Sequence, residues 1–151
     1  LAGAEVLVAE GFRETWIMPR VLLLGDPAQL DEYGGGVALA TAGDVSVDGL
    51  PHAGSVAELA DLFLERGFFL PGLDCGSCEP GDCAGLAREI AAGRMSVDDC
   101  KTRQSKVSIS VNGRELDLNP FVAGIFHGGL SGMLASLKGF GPGHVDIKLE
   151  V

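Results

Sequence analysis

The chain has 151 residues, 46% of them hydrophobic and 21% charged, which is enough apolar side chain to bury a core and argues against disorder. Eleven Lys and Arg face 21 Asp and Glu, and the formal charge of −10 repels phosphate backbones and anionic lipid, so nucleic-acid and peripheral-membrane roles are set aside. No uncharged apolar run approaches the roughly 18 residues needed for a membrane span. No export leader is visible, which points to the cytoplasm.

Three short apolar runs come first: residues 5–9 (Glu-Val-Leu-Val-Ala), 20–24 (Arg-Val-Leu-Leu-Leu) and 37–40 (Val-Ala-Leu-Ala). Runs without alternation suit parallel strands covered on both faces. Glu10 closes the first run, where a phosphate-binding α/β protein places a Mg²⁺-side acid, although a solvated strand-end carboxylate is the plainer reading. The single tryptophan, Trp16, follows in a loop and is expected to rest on the sheet edge. Ser55 and Glu58 form a capping box opening a helix over residues 56–66, with Val56, Leu59, Ala60, Phe63 and Leu64 on its inner side. Strands followed by a helix make residues 1–69 a partial parallel-sheet α/β domain.

Residues 70–104 hold all four cysteines, Cys75, Cys78, Cys83 and Cys100, in the spacing C-x2-C-x4-C-x16-C. In a reducing compartment such clustered thiols are metal ligands more often than disulfides. Structural zinc favours two knuckles of paired thiolates. One knuckle, a third close cysteine and a remote fourth suit the separated iron corners of a [4Fe–4S] cluster better, with zinc as the alternative. Asp82 should cap a helix that starts at Cys83 and is closed by Gly93, its apolar positions Leu86, Ala87, Ile90 and Ala91 facing a core. The positive end of that helix would favour the Cys83 thiolate. A final turn beginning at Ser96 returns Cys100 to the site.

Residues 105–151 read as a small α+β unit of three antiparallel strands and one helix. Residues 107–111 and 115–118 flank Asn112-Gly113, a type I′ turn signal. Asn119 and Pro120 open a helix that Gly139 should end, with Phe121, Ile125, Met133 and Leu137 as core. Residues 145–151 alternate and should add the third strand. Gly124, Gly128 and Gly132 leave a stripe without side chains, read first as close packing of helix on sheet and second as a homodimer face. His52, His127 and His144 have no partner at ligand spacing. No nucleophile–base set is visible, so no catalytic residue is assigned.

Two resemblances add to this reading. Leu70, Pro71, Gly72, Cys75, Cys78, Cys83, Ala87, Ile90, Gly93 and Cys100 resemble the four-cysteine iron–sulfur module of the B subunit of Rnf electron-transport complexes and of the large corrinoid iron–sulfur protein. Residues 4–13 with 18–21, the strand and helix that follow, and residues 118–122 and 132–139 resemble the molybdopterin-guanine dinucleotide biosynthesis protein B family. That family implies a P-loop-like half domain binding GTP and Mg²⁺, with Glu10 as the only residue carried over. It further implies service to a molybdopterin guanylyltransferase or a molybdenum or tungsten enzyme in an anaerobe. This chain has no G-x-x-x-x-G-K-[ST], so the expectation is a fragment of such an adaptor lacking its nucleotide half. A stand-alone [4Fe–4S] electron-transfer module is the competing expectation.

Overall fold

A computed structural model describes residues 7–11, 14 and 17–148. Trp16, residues 5 and 6 of the first apolar run, residues 12 and 13 of the second resemblance, and residues 149–151 lie outside the described residues. The chain divides into two compact units, Leu1–Gln104 and Ser105–Val151.

The first unit is built on a parallel sheet of order β1-β2-β3, with β1 at Arg20–Leu23, β2 at Ala38–Ala42 and β3 at His52–Ala53. Asp26 opens the connection after β1, its carboxylate accepting from the Ala28 N–H at 2.8 Å. A 3₁₀ turn, Pro27–Gln29, then leads into the one-turn helix α1, Leu30–Tyr33. Gly36 has φ +78, and a Cβ there would stand 2.9 Å from Arg88 Cγ, so only glycine lets this turn pass under the later helix. Helix α2 spans Val56–Arg66. Ser55 accepts from the Glu58 N–H, but the Glu58 carboxylate accepts from Gly54 rather than from Ser55, so the capping box is shifted by one residue. Helix α3 spans Cys83–Ala91. Val37, Leu70, Leu86, Ala87 and Cys100 form one buried cluster, with Ile17, Phe68, Cys78, Ile90 and Met95 packed against it.

Several expectations fail for physical reasons. Residues 7–9 form no strand, and Leu7 and Val8 are exposed. The sheet is not covered on both faces throughout: Leu22 and Leu24 are buried, while Leu23 between them is 79% exposed, the alternation of a strand with one solvated face. Only the central strand β2 is buried along most of its length. On α2, Val56 is 84% exposed and Leu64 is exposed as well. The half-buried positions are Leu59, Leu62, Phe63 and Arg66, the i, i+3, i+4, i+7 stripe of a helix lying on a sheet.

In the second unit β4 (Ile109–Val111) pairs antiparallel with β5 (Arg114–Leu116) around Asn112 (φ 52) and Gly113 (φ 76), the type I′ geometry. Asn119 Oδ1 accepts from the Val122 N–H at 2.9 Å and starts α4, Pro120–Ala135. The helix ends before Gly139. Ser136 Oγ donates to the Met133 carbonyl, and two tightened turns follow, Leu137 to Leu134 and Phe140 to Leu137. Residues 145–148 carry no strand, so the expected third strand is absent there. A two-stranded hairpin whose β5 residues are all exposed offers little apolar face to hold another strand. Phe121, Ile125, Met133 and Leu137 are exposed rather than core. Side chains added at Gly124, Gly128 or Gly132 would meet nothing within 4 Å, so the expected packing of this stripe on the sheet does not occur. Among the described residues no helix is long and apolar enough to cross a membrane.

Candidate metal centre

The cysteine segment is anchored by Leu70, fully buried in the core cluster. Beyond it Pro71 and Gly72 turn the chain. Gly72 has φ +69, a conformation that residues with a side chain rarely adopt, and a Cβ there would also press on Ile17 Cδ1 at 2.8 Å. Asp74 adopts a left-handed conformation, φ 47, rare outside glycine and tolerated best by Asp and Asn. Its carboxylate accepts the Cys83 N–H at 3.0 Å, and its own N–H points back at the Cys83 sulfur. This clasp sets the CxxC loop against the start of α3.

Each sulfur meets a different environment. Hydrogen bonding, chiefly from the Ser77 backbone, holds the Cys75 thiol below its ordinary value. Burial pushes the Cys78 thiol up, against a donated Lys101 N–H, and the Cys100 sulfur lies within hydrogen-bond reach of it. Burial also pushes Cys83 up, aided by the charges of Asp74, Cys100 and Cys75. The helix start was expected to favour the Cys83 thiolate, but desolvation dominates. Cys83 does sit where expected, at the first position of α3, behind an Asp82 cap that accepts from Gly85. Cys100 closes the 3₁₀ turn Val97–Asp99, where Ser96 and Asp99 cap each other, and is 3% exposed.

The four cysteines carry free thiols, Cys75 and Cys78 half-buried, Cys83 and Cys100 buried. Among the described residues no group of three or more His, Cys, Asp or Glu side chains is drawn together as the ligands of a single ion are. The thiols nonetheless share one electrostatic neighbourhood, in which each added negative charge disfavours the next. Soft donors repelling one another in this way are relieved by a soft cation, and N–H and O–H groups aimed at sulfur are the surroundings that iron–sulfur centres use. The donor set therefore fits an iron–sulfur group.

The other candidates remain apart from any such arrangement. Glu10 is exposed in a bend. His52 is exposed, its Nδ1 3.0 Å from Thr41 Oγ1, and His127 and His144 are exposed. Asp74 and Ser77 were not singled out as site residues from sequence. The only signal for them was polar residues flanking the ligands.

Residues 70–102, about a fifth of the chain, match the family model described as "Putative Fe-S cluster". The match takes in all four cysteines, so this stretch is similar to an iron–sulfur module. No curated protein and no solved structure is similar enough to the chain to match it. Nothing in these comparisons reaches residues 1–69, so the resemblance there to the molybdopterin-guanine dinucleotide protein, and the GTP binding it implies, gain no support.

Proposed function

We propose that Cys75, Cys78, Cys83 and Cys100 hold one [4Fe–4S] cluster and that the chain serves as a single-electron carrier. The observation that carries this reading is the four-thiol set of residues 70–102, which is matched as a whole to an iron–sulfur family and which sets Cys100 in the apolar core with Cys78 against it. When bound, the cluster supplies one-electron exchange. The protein's part is to position and to insulate. Cys83 and Cys100, held in the core, keep water from one side, while Cys75 and Cys78 lie nearer the surface. Backbone N–H groups from Asp74, Ser77 and Lys101 stabilise negative charge on the sulfurs without a basic side chain. The net charge of −10 suits docking to a basic partner oxidoreductase.

Anaerobic purification with iron, acid-labile sulfide and visible absorption tests this reading. About four irons per chain, as a cubane requires, with broad brown absorption and a reversible one-electron reduction are expected. A colourless protein with one zinc per chain would overturn it. A second reading, a molybdenum-cofactor nucleotide adaptor, has the parallel order β1-β2-β3 in its favour. Because the chain lacks a phosphate-cradling glycine loop and its lysine, equilibrium dialysis with Mg²⁺ and GTP is expected to show no binding by these residues alone.

A further inference from the structure

Two carboxylates meet the start of α3, and they come from different places in the chain. Asp82, the residue before Cys83, accepts from the Gly85 N–H and is the local cap of the helix. Asp74, nine residues upstream of Cys83, accepts the Cys83 N–H itself at 3.0 Å. This second bond links two of the cysteines as well as capping the helix. Asp74 is the direct neighbour of Cys75, and the bond ends on the backbone of Cys83, which opens α3 and is 8% exposed. Asp74 makes it from a left-handed backbone, φ 47. Within the loop so bridged, Gly76 and Gly81 also take positive φ, 69 and 88, and the Gly81 N–H returns to the Cys78 carbonyl at 2.9 Å. Residues 74–83 thus form a loop closed at its base by one side-chain bond, and it carries three of the four cysteines.

We infer that Asp74 is a positioning residue that closes the loop carrying Cys75, Cys78 and Cys83 and thereby holds Cys83 in place to take its iron. The inference rests on the iron–sulfur reading above. A loop closed beforehand has already met the entropy cost of gathering its thiols, so that cost no longer weighs on metal binding. Groups that orient a metal ligand in this way typically count for about 10–100-fold in metal affinity. The step concerned is ligand exchange: the Cys83 thiol gives its proton to solvent and its sulfur replaces an exchangeable ligand on one iron, with no electron transferred. Two substitutions separate backbone from side chain. Glycine and asparagine both accept the left-handed conformation, and only asparagine keeps an acceptor for the Cys83 N–H.

The test is anaerobic loading of the full chain, of Asp74→Gly and of Asp74→Asn with ferrous iron and sulfide, followed by titration with EDTA while the visible absorption is read. At half-stripping the thiols are alkylated with iodoacetamide and the labelled cysteines located by peptide mass. Asp74→Gly is expected to lose its iron at about tenfold less EDTA than the wild type, with the gain in labelling confined to Cys83. Asp74→Asn should match the wild type in both readouts. An Asp74→Gly chain stripped at the wild-type EDTA concentration overturns the inference. So does a gain in labelling shared equally with Cys100, which marks a general loosening of the fold, and so does an Asp74→Asn chain as weak as Asp74→Gly, which marks an effect of charge. A folded Asp74→Gly chain that takes up no iron while Asp74→Asn loads supports it. If unloaded Asp74→Gly is unfolded, Asp74→Ser is read in its place under the same criteria; if that is unfolded too, the acceptor serves the fold alone and the assignment falls. A wild-type chain that takes up no iron removes the iron–sulfur reading and this inference with it, whereas a loaded wild type with unshifted variants removes the Asp74 assignment alone.

Discussion

Asp74 performs two tasks that substitutions can separate. Its backbone occupies the left-handed region, and its carboxylate satisfies the first N–H of α3 at Cys83. Asn keeps both abilities, since it tolerates that conformation and offers an amide oxygen. Alanine loses both, leaving an orphaned N–H and a strained backbone. Asp74→Asn is therefore expected to leave the urea midpoint nearly unchanged, and Asp74→Ala to cost about 1–3 kcal/mol. Single Cys→Ser changes at the four ligands should each lower bound iron, the loss being largest at Cys83 and Cys100, whose burial leaves no water to substitute for the missing sulfur. Iron and sulfide content per chain checks this. The four candidate thiols were legible because thiol spacing is written in the sequence. The clasp of Asp74 on Cys83 was not, because the two meet only once the CxxC loop has folded against the start of α3.

Among the elements, α3 is the one whose sequence and structure agree most fully. Its Asp82 cap, its buried stripe of Cys83, Leu86, Ala87 and Ala91, and the left-handed Gly93 after it all come from local rules. Leu86 has no exposure and packs with Val37, Leu70 and Cys100, joining the helix to both the strand region and the ligand turn. Leu86→Ala is expected to cost about 2–5 kcal/mol and to lower iron loading at 37 °C, as read from urea titration and iron content. Helix α2 was placed correctly in extent but turned too far in facing, because seven apolar residues in eleven leave the inner stripe ambiguous until the sheet fixes it. Helix α4 shows the opposite failure. Gly139 does adopt a positive φ, yet the Ser136 hydroxyl had already ended the helix upstream. Over residues 145–148 the expected third strand is missing for want of an apolar surface, which alternation in sequence cannot reveal.

At the scale of the whole molecule, all four cysteines fall within the first unit and the division comes after Gln104. Arg103 and Lys106 bracket that boundary and are exposed. Brief native trypsin treatment is expected to cut there first and to leave the iron with the larger fragment; iron divided between fragments would contradict the ligand assignment. Stripping the metal with a chelator should lower the melting temperature of the first unit, because Cys78 and Cys100 are part of its packing as well as its chemistry.

The position of Cys100 also bears on how the protein is made. During synthesis the sheet and α2 emerge before any ligand, and three cysteines follow close together before the fourth. At about 5–20 residues per second the ribosome takes roughly one to five seconds to travel from Cys75 to Cys100. For that interval the nascent chain displays an incomplete set of thiols above a core that still lacks its last member. With the four cysteines as the proposed ligands, cluster insertion and closure of the core would await the same residue, and the chain would become loadable and packable at one moment.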